Sequence, residues 1–272
     1  MRLVDERALM DVLSAMDPIS LQEMNSVKLM NRTDTKFLLN RQQLLSLAQL
    51  WQPLFFVQNV NGVRVSNYTT LYFDTPDALT YTVHHNKKLK RQKIRQRQYL
   101  DTGDVFCEIK NKVNTGRTKK KRIAIPQEAW GNLYDLPEMA DFVREKLWLT
   151  DQPLSPRLQN RFQRITLVNK AKTERITIDS DISFHNVLTN MDADVSELVI
   201  VEVKQDGSQP SEFTRLLRDA RIQPKGLSKY CLGMLLTDDN IKYNRFKDKI
   251  HYVSRLVGRN MSIAAVAKAR AL

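Results

Sequence analysis

Charged side chains recur on alternate residues in seven stretches of this chain, and most of them are basic. The stretches are Arg32-x-Asp34-x-Lys36, Lys93-x-Arg95-x-Arg97-x-Tyr99, Glu108-x-Lys110-x-Lys112, Lys120-x-Arg122, Phe162-x-Arg164, Arg175-x-Thr177-x-Asp179 and Glu202-x-Lys204. Alternate residues of a strand share one face. A sheet built from these stretches therefore has one strongly charged face. Such a face cannot pack against itself, because buried like charges cost too much. A densely anionic partner is expected on it.

The formal charge of +13 on 272 residues agrees with an anionic partner, and the excess is concentrated. Residues 85–125 hold fourteen Lys and Arg against Asp101, Asp104 and Glu108; the last 32 residues hold eight against Asp248. The hydrophobic fraction of 42% leaves ample material for a core. Cys107 and Cys231 are too isolated for a disulfide framework or a zinc site and read as reduced buried thiols. No stretch has the ~20 apolar residues of a membrane span. The start, MRLVDERALM, reads as a helix and not as a signal peptide. A cytoplasmic location follows as an expectation.

Periodicity predicts a helix over 3–16, a strand over 27–39, a helix over 41–51 and strands over 54–60 and 65–73. Pro76 is placed to open a helix over 76–84. Strands are expected over 87–99, 105–112 and 117–125, turning at 101–103 and 114–116. A mainly helical stretch follows over 127–149. Strands then return over 160–169, 173–182 and 197–204, before helices over 210–221 and 228–236. The tail from 241 reads as a basic amphipathic helix, lying on an anionic membrane, solvated, or bound to a partner. The sum is an α+β fold of about eight mostly antiparallel strands, closed as a β-barrel with helices outside. Closure would keep the field of the cations focused.

Lys93, Arg95, Arg97 and Tyr99 share one face of their strand. Alone, the row reads equally well as a solvated basic edge. The pattern repeats with Glu108, Lys110 and Lys112, then with Lys120 and Arg122, and again far along the chain at Arg164 and Arg175. Arg offers a planar fork to phosphate oxygens and Lys a compact charge. Among Lys119, Lys120, Lys121 and Arg122, the sequence does not fix which face inward. Glu202, in the apolar VIVEVK, is either an ion-pair partner or a ligand for a divalent metal, which commonly takes one or two carboxylates plus phosphates. Glu108 is a second such candidate, with pairing to Lys110 or an Arg as its other reading, and Asp34 a third. His84 and His85 read as solvent-facing. Asp74 reads as the cap of the turn at Pro76.

RTDTKFLL, YFDT, KIRQRQY, CEIKNK, RFQRITL with RITID, VEVK and GLSKY stand in the order seen in the VTC domain. That domain is the polyphosphate polymerase module of the vacuolar transporter chaperone complex, in the triphosphate tunnel metalloenzyme superfamily with the CYTH-type triphosphatases. The resemblance covers roughly residues 25–236. It implies an antiparallel barrel whose tunnel binds the triphosphate of ATP. Carried onto this sequence, it makes Lys36, Arg95, Arg97, Lys110, Arg164, Arg175 and Lys229 phosphate-binding cations, with Ser228 beside Lys229 and a further cation at Lys120, Lys121 or Arg122; the strand faces add Arg32, Lys93, Lys120, Arg122 and Lys204 to the expected phosphate-binding set. Arg95, Arg97, Lys229 and Glu202 are the expected catalytic residues, with Glu202 and Glu108 as expected ligands of Mn²⁺ or Mg²⁺. The implied layout is a helical segment over 1–24, the tunnel domain over 25–238 and the basic tail over 239–272.

The implied activity is ATP-dependent extension of polyphosphate with release of ADP. The rivals are a tunnel triphosphatase and a polyanion-binding module without turnover. CYTH triphosphatases open with two glutamates and a lysine on alternate residues, where this chain has Arg32, Asp34 and Lys36. Fewer carboxylates leave less provision for activating water, which favours transfer over hydrolysis. Phe162 stands where the VTC pattern usually has Tyr. The partners implied are ATP, pyrophosphate and polyphosphate, with no specific nucleic acid, and a membrane contact through the tail. The chain resembles a stand-alone bacterial member, peripheral at the inner face of a membrane if the tail binds there.

Overall fold

The computed structural model describes residues 2–26, 32–114, 118–207 and 210–264; the side chains of residues 2–5, 25–26 and 32 lie outside the description. In chain order the elements are α1 (Arg2–Ala15), β1 (Pro18–Ile19), α2 (Leu21–Ser26), β2 (Arg32–Asn40), α3 (Arg41–Trp51), β3 (Phe55–Gln58) and β4 (Ser66–Asp74). Then come α4 (Leu79–His85), β5 (Arg91–Tyr99), β6 (Val105–Lys112), β7 (Thr118–Ile125), α5 (Pro137–Lys146), β8 (Ser155–Asn169) and β9 (Glu174–Asn186). The last are β10 (Met191–Asp194), β11 (Leu198–Asp206), α6 (Glu212–Asp219), α7 (Lys229–Thr237) and α8 (Lys247–Leu256). The chain divides into two compact units, and β8 and β9 each run through both.

The first unit comprises Met1–Ser66, Gln163–Ile182 and Val195–Leu227. Its ladder runs β2-β11-β9-β8, with β11 antiparallel to both β2 and β9. Alternation sorts each strand into two faces. Phe37 and Leu39, Val199, Val201 and Val203, Ile176 and Ile178, and Ile165 and Leu167 face a core made with α3 and α6. There Trp51 stacks on Phe213, with centroids 5.5 Å apart, and Phe55 meets the edge of the same ring. Truncating Phe213 to Ala would cost about 3–5 kcal/mol. Asn40 and Gln43 form a capping box that starts α3 at the residue where the apolar period begins. The other face of this sheet carries the charged residues.

The second unit comprises Asn67–Phe162, Ser183–Asp194 and Ser228–Leu272. Its ladder runs β8-β4-β5-β6-β7. Leu71, Phe73, Ile94, Val105, Cys107, Ile109 and Ile125 bury one face against Met139, Phe142 and Val143 of α5. Two buried glutamines on that face hold the flanks of α5. Gln96 donates to the carbonyls of Ala129 (3.0 Å) and Asn132 (2.8 Å) and accepts from the Gly131 amide (2.7 Å). Gln92 donates to the Lys146 carbonyl (2.7 Å) and accepts from the amides of Trp148 and Leu149 (2.9 Å each). The β5–β6 turn closes at Gly103, whose φ of +77° needs a residue without Cβ. The expected turn at 114–116 falls largely outside the described residues.

The antiparallel α+β class holds, with differences. Eleven strands replace the expected eight or so, and the strand order has ends at β2 and β7 without closing among the described residues. The extra strands are β1, a two-residue parallel partner of β3, and β10, a four-residue partner of β9 with no buried position. The helix expected over 127–149 begins only at Pro137, because 127–136 make a short 3-10 turn and a loop tied down by Gln96. The helix expected over 76–84 starts at Leu79, since Ala78 sits at φ +54°. Asp74 accepts from the amides of Thr80 (2.8 Å) and Tyr81 (3.0 Å) in its first turn. His85 is buried, not solvent-facing. Its Nε2 accepts from the Arg245 amide and its ring lies 5.5 Å from Phe246. The segment after 238 is docked through Phe246, and Ile250 and Val253 of α8 are buried. Residues 265–272 of the tail lie outside the description.

Candidate functional site

The register of β4, β5, β6 and β7 aligns their charged residues in rows, because directly opposed residues of an antiparallel pair share a face. One row is Tyr72, Arg95, Glu108 and Arg122; the next is Lys93, Lys110 and Lys120. Thr70, Arg97 and Phe106 make a third, and Arg91 with Lys112 a fourth. The register thus puts Lys120 and Arg122 on the face of Glu108, and Lys119 and Lys121 on the other. Glu108, 1% exposed, accepts from Arg95 Nε (2.8 Å) and Lys120 Nζ (2.8 Å) and lies 2.6 Å from Arg95 Nη2. Burial alone would raise its pKa; Arg95, Arg97 and Lys120 outweigh burial and hold the carboxyl well below the usual range. The Lys120 pKa is also lowered, by burial and by Arg95 and Arg97, with Glu108 opposing. These cations are crowded, and an added anion would relieve them.

The N-terminus of α7 meets the same face. Ser228 caps the helix by accepting from the Cys231 amide, and Lys93 Nζ donates to its hydroxyl at 2.7 Å. Lys229 Nζ stands 4.3 Å from the centroid of Phe162. Arg97 lies 5.6 Å from that centroid and donates to Thr70 Oγ1 at 3.0 Å. Phe162 also stacks on Tyr68 at 5.1 Å. The ring that replaces the expected Tyr thus packs between two cations, using its π face where a hydroxyl would have used hydrogen bonds. Arg122 lies over Phe106 at 4.3 Å. Behind α7, Tyr230 donates to buried Asp74, and Tyr72 packs on Tyr230 at 5.0 Å.

The first unit has its own polar face. Glu202 on β11 is opposite Lys36 on β2 and Thr177 on β9; Lys204 is opposite Asp34 and Arg175. Glu202 lies 3.3 Å from Lys36 Nζ and 2.9 Å from Lys204 Nζ. Arg164 grips Asp179 with two hydrogen bonds, Nε to Oδ1 at 2.6 Å and Nη2 to Oδ2 at 2.8 Å. Arg175 donates to the Met24 carbonyl at 2.7 Å. Burial and Arg164 lower the Lys204 pKa, and Glu202 opposes them. Arg32 opens β2 opposite Asp206, with its side chain outside the description.

Both expected metal carboxylates pair with two cations, but Glu108 does not fit the role because it is fully buried. Glu202 fits better. It is partly exposed, and opposite it Thr177 Oγ1 is buried without a hydrogen-bond partner. One carboxylate with a neighbouring hydroxyl suits a hard divalent ion that draws its other ligands from phosphates and water. Among the described residues no three His, Cys, Asp or Glu side chains cluster as a self-sufficient metal site. Sequence reasoning missed the Arg164–Asp179 clasp, although the Arg175-x-Thr177-x-Asp179 alternation had put Asp179 on the charged face. It also missed Arg91, whose parity with Lys93 was the available signal.

A family model described as the VTC domain matches residues 31–237. A putative adenylyl cyclase from Hippeastrum, described as revealing a dominant triphosphatase activity, is similar in structure. It has 15% identity and a TM-score of 0.45, over 75% of this chain and 94% of the other. A putative adenylate cyclase from Vibrio parahaemolyticus has 12% identity and a TM-score of 0.43, over 75% and 99%. An RNA triphosphatase from S. pombe has 10% identity and a TM-score of 0.28, over 90% and 86%. No curated protein matches the sequence.

Proposed function

We propose that this chain, which belongs to the VTC-domain family, moves the γ-phosphate of ATP onto a growing polyphosphate chain and releases ADP. The observation that carries this reading is the charge of the β4–β7 face. Lys93, Arg95, Arg97, Lys110, Lys120 and Arg122 share it with one carboxylate, Glu108, that is already paired with Arg95 and Lys120, and Lys229 stands over Phe162. Joining two polyanions requires their repulsion to be screened. Phosphoryl transfer otherwise asks mainly for positioning and charge compensation.

Arg95, Arg97 and Lys229 hold the transferring phosphoryl group, and Lys93, Lys110, Lys120 and Arg122 the flanking phosphates. Arg95 reaches its position because Glu108 fixes its guanidinium, with Tyr72 opposite it on β4. Ser228 orients Lys93 and caps the helix that presents Lys229. The attacking group is the terminal oxygen of the chain, already anionic, so no base is needed to create it. The carboxylates fit this economy of bases: Glu108, Glu202 and Asp179 are each paired with cations. Lys36, Arg164, Arg175 and Lys204 add phosphate contacts in the first unit. Glu202, with Thr177 Oγ1 beside it, would hold one Mn²⁺ or Mg²⁺; when bound, the ion neutralises charge on phosphate oxygens.

The reading is tested by Arg95→Ala and Glu202→Gln. Losing a central Arg should remove about 2–4 kcal/mol of transition-state stabilisation, by analogy with a lost oxyanion donor. Polyphosphate made from ATP by either variant at near the wild-type rate contradicts the assignment.

A further inference from the structure

The basic face of the second unit continues past the proposed site. Arg91 is opposite Lys112, and Lys112 opposite Thr118, so this end row has no carboxylate. Arg91 donates to the Lys88 carbonyl (2.7 Å) and Lys93 to the Ser228 hydroxyl (2.7 Å). A third element adds charge here. Phe246 packs against His84 and His85 of α4, with centroids 6.5 and 5.5 Å away. Lys249, three residues on, holds its ammonium 5.7 Å from the Phe246 ring. The charges of Lys93, Arg91, Lys249 and Lys112 all act on His84. Its Nδ1 is buried with no hydrogen-bond partner. Burial first, then these four cations, lower its pKa to about 2, so the ring is neutral. Asp248, the acid of α8, is exposed.

Four cations converging from β5, β6 and α8 around a ring that cannot carry charge make a local excess of positive potential. Each side chain is only partly buried, so a ligand can reach it. One of the four, Lys249, comes from beyond residue 237, where the family match ends.

We propose that Arg91, Lys93, Lys112 and Lys249 form a further anion subsite, completed by the C-terminal segment, that holds a phosphate group of the polyphosphate chain beyond the reacting ones. The subsite rests on the polyphosphate reading above and extends it. Its occupant is a chain of phosphates, because cations spaced along a strand row suit repeated charges better than one ion. Lys249 gives α8 a role that the rest of the family domain does not supply.

The test uses the full chain and measures binding of tripolyphosphate and of longer polyphosphate, without ATP. Lys249→Ala should weaken binding of the longer chain about tenfold at low salt, the size of one charge-assisted contact. Lys249→Arg should restore it, and added salt should shrink the difference. In the wild-type protein the His84 imidazole signals should move as the chain is titrated in. Unchanged affinity in Lys249→Ala, with His84 unmoved, overturns the subsite while leaving the proposed activity standing. A wild-type protein that binds no polyphosphate overturns both. Vesicles containing phosphatidylglycerol are the control arm: Lys249-dependent binding to them and not to the chain overturns the subsite.

Discussion

The two units carry polar faces made by the same strand alternation, yet they handle charge differently. In the first, Lys36, Lys204, Arg164 and Arg175 share a face with Glu202, Asp179 and Asp34, and acids and bases nearly balance. In the second, the register puts Arg91, Lys93, Arg95, Arg97, Lys110, Lys112, Lys120 and Arg122 on the face of β5, β6 and β7 that holds Glu108, and Lys229 comes from α7. A balanced face is largely stable as it stands. An unbalanced one folds with repulsion that only an anion relieves. On the proposed reading, charge compensation falls mainly to the second unit, and the more exposed carboxylate, Glu202, lies in the first.

The largest effect that can break this contrast is on Arg95. Arg95→Ala should lower polyphosphate synthesis about 100-fold or more. It should also destabilise the fold by about 3–5 kcal/mol, because Glu108 is left buried with half its partners. Rate assays and urea midpoints measure the two effects. Lys36→Ala is the comparison in the first unit: its partly exposed pair with Glu202 contributes at most about 1 kcal/mol to stability. Equal losses from the two variants would erase the contrast.

Glu202→Gln should come next, lowering the rate at least about tenfold and raising the Mn²⁺ or Mg²⁺ concentration needed for half-maximal rate. Its unfolding midpoint should barely move. An unchanged metal requirement would remove Glu202 from the metal's ligands.

Acid sensitivity sharpens the comparison at the second unit. His84 is held neutral in the fold, with its pKa down at about 2 against 6.5 unperturbed. The unfolded chain therefore binds the extra proton, and stability falls as pH drops below 6.5. Between pH 6.5 and 5 the loss should be about 1–2 kcal/mol, and His84→Gln should abolish that slope. Glu108 acts lower. Its carboxyl is depressed from 4.5, so the stability it confers is complete above that value and lost as the pH falls towards its folded pKa. Glu108→Gln should then matter less the more acid the solution. Urea midpoints measured against pH separate the two windows.

The smallest effect is expected from Phe162→Tyr. Phe162 packs among Tyr68, Arg97 and Lys229, so a hydroxyl adds one hydrogen bond, and the rate should change by about threefold or less.

What was legible in the sequence follows the same division. Where local chemistry and burial agree, the reading holds to the residue: α3 spans 41–51 because a capping box and an apolar period coincide, and β6 spans 105–112 because its two faces differ sharply. The rows of cations were visible for the same reason. Elements that lack alternation were hidden. β10 has no buried position, and β1 is two residues long. Long-range hydrogen bonds were hidden too. Nothing local says that Gln96 holds residues 129–132, or that His85 accepts from an amide 160 residues away. The pairing of Glu108 was half visible. Its neighbours were known to be cations, but the register that sets Arg95 opposite it and Lys120 diagonal to it comes from the assembled ladder.

Incubation with ATP and Mn²⁺, followed by separation of polyphosphate, ADP and orthophosphate, bears most directly on the activity. The second unit's cationic face predicts chains of phosphate accumulating in step with ADP. ADP appearing with orthophosphate and no chains would make the protein a hydrolase and contradict transfer.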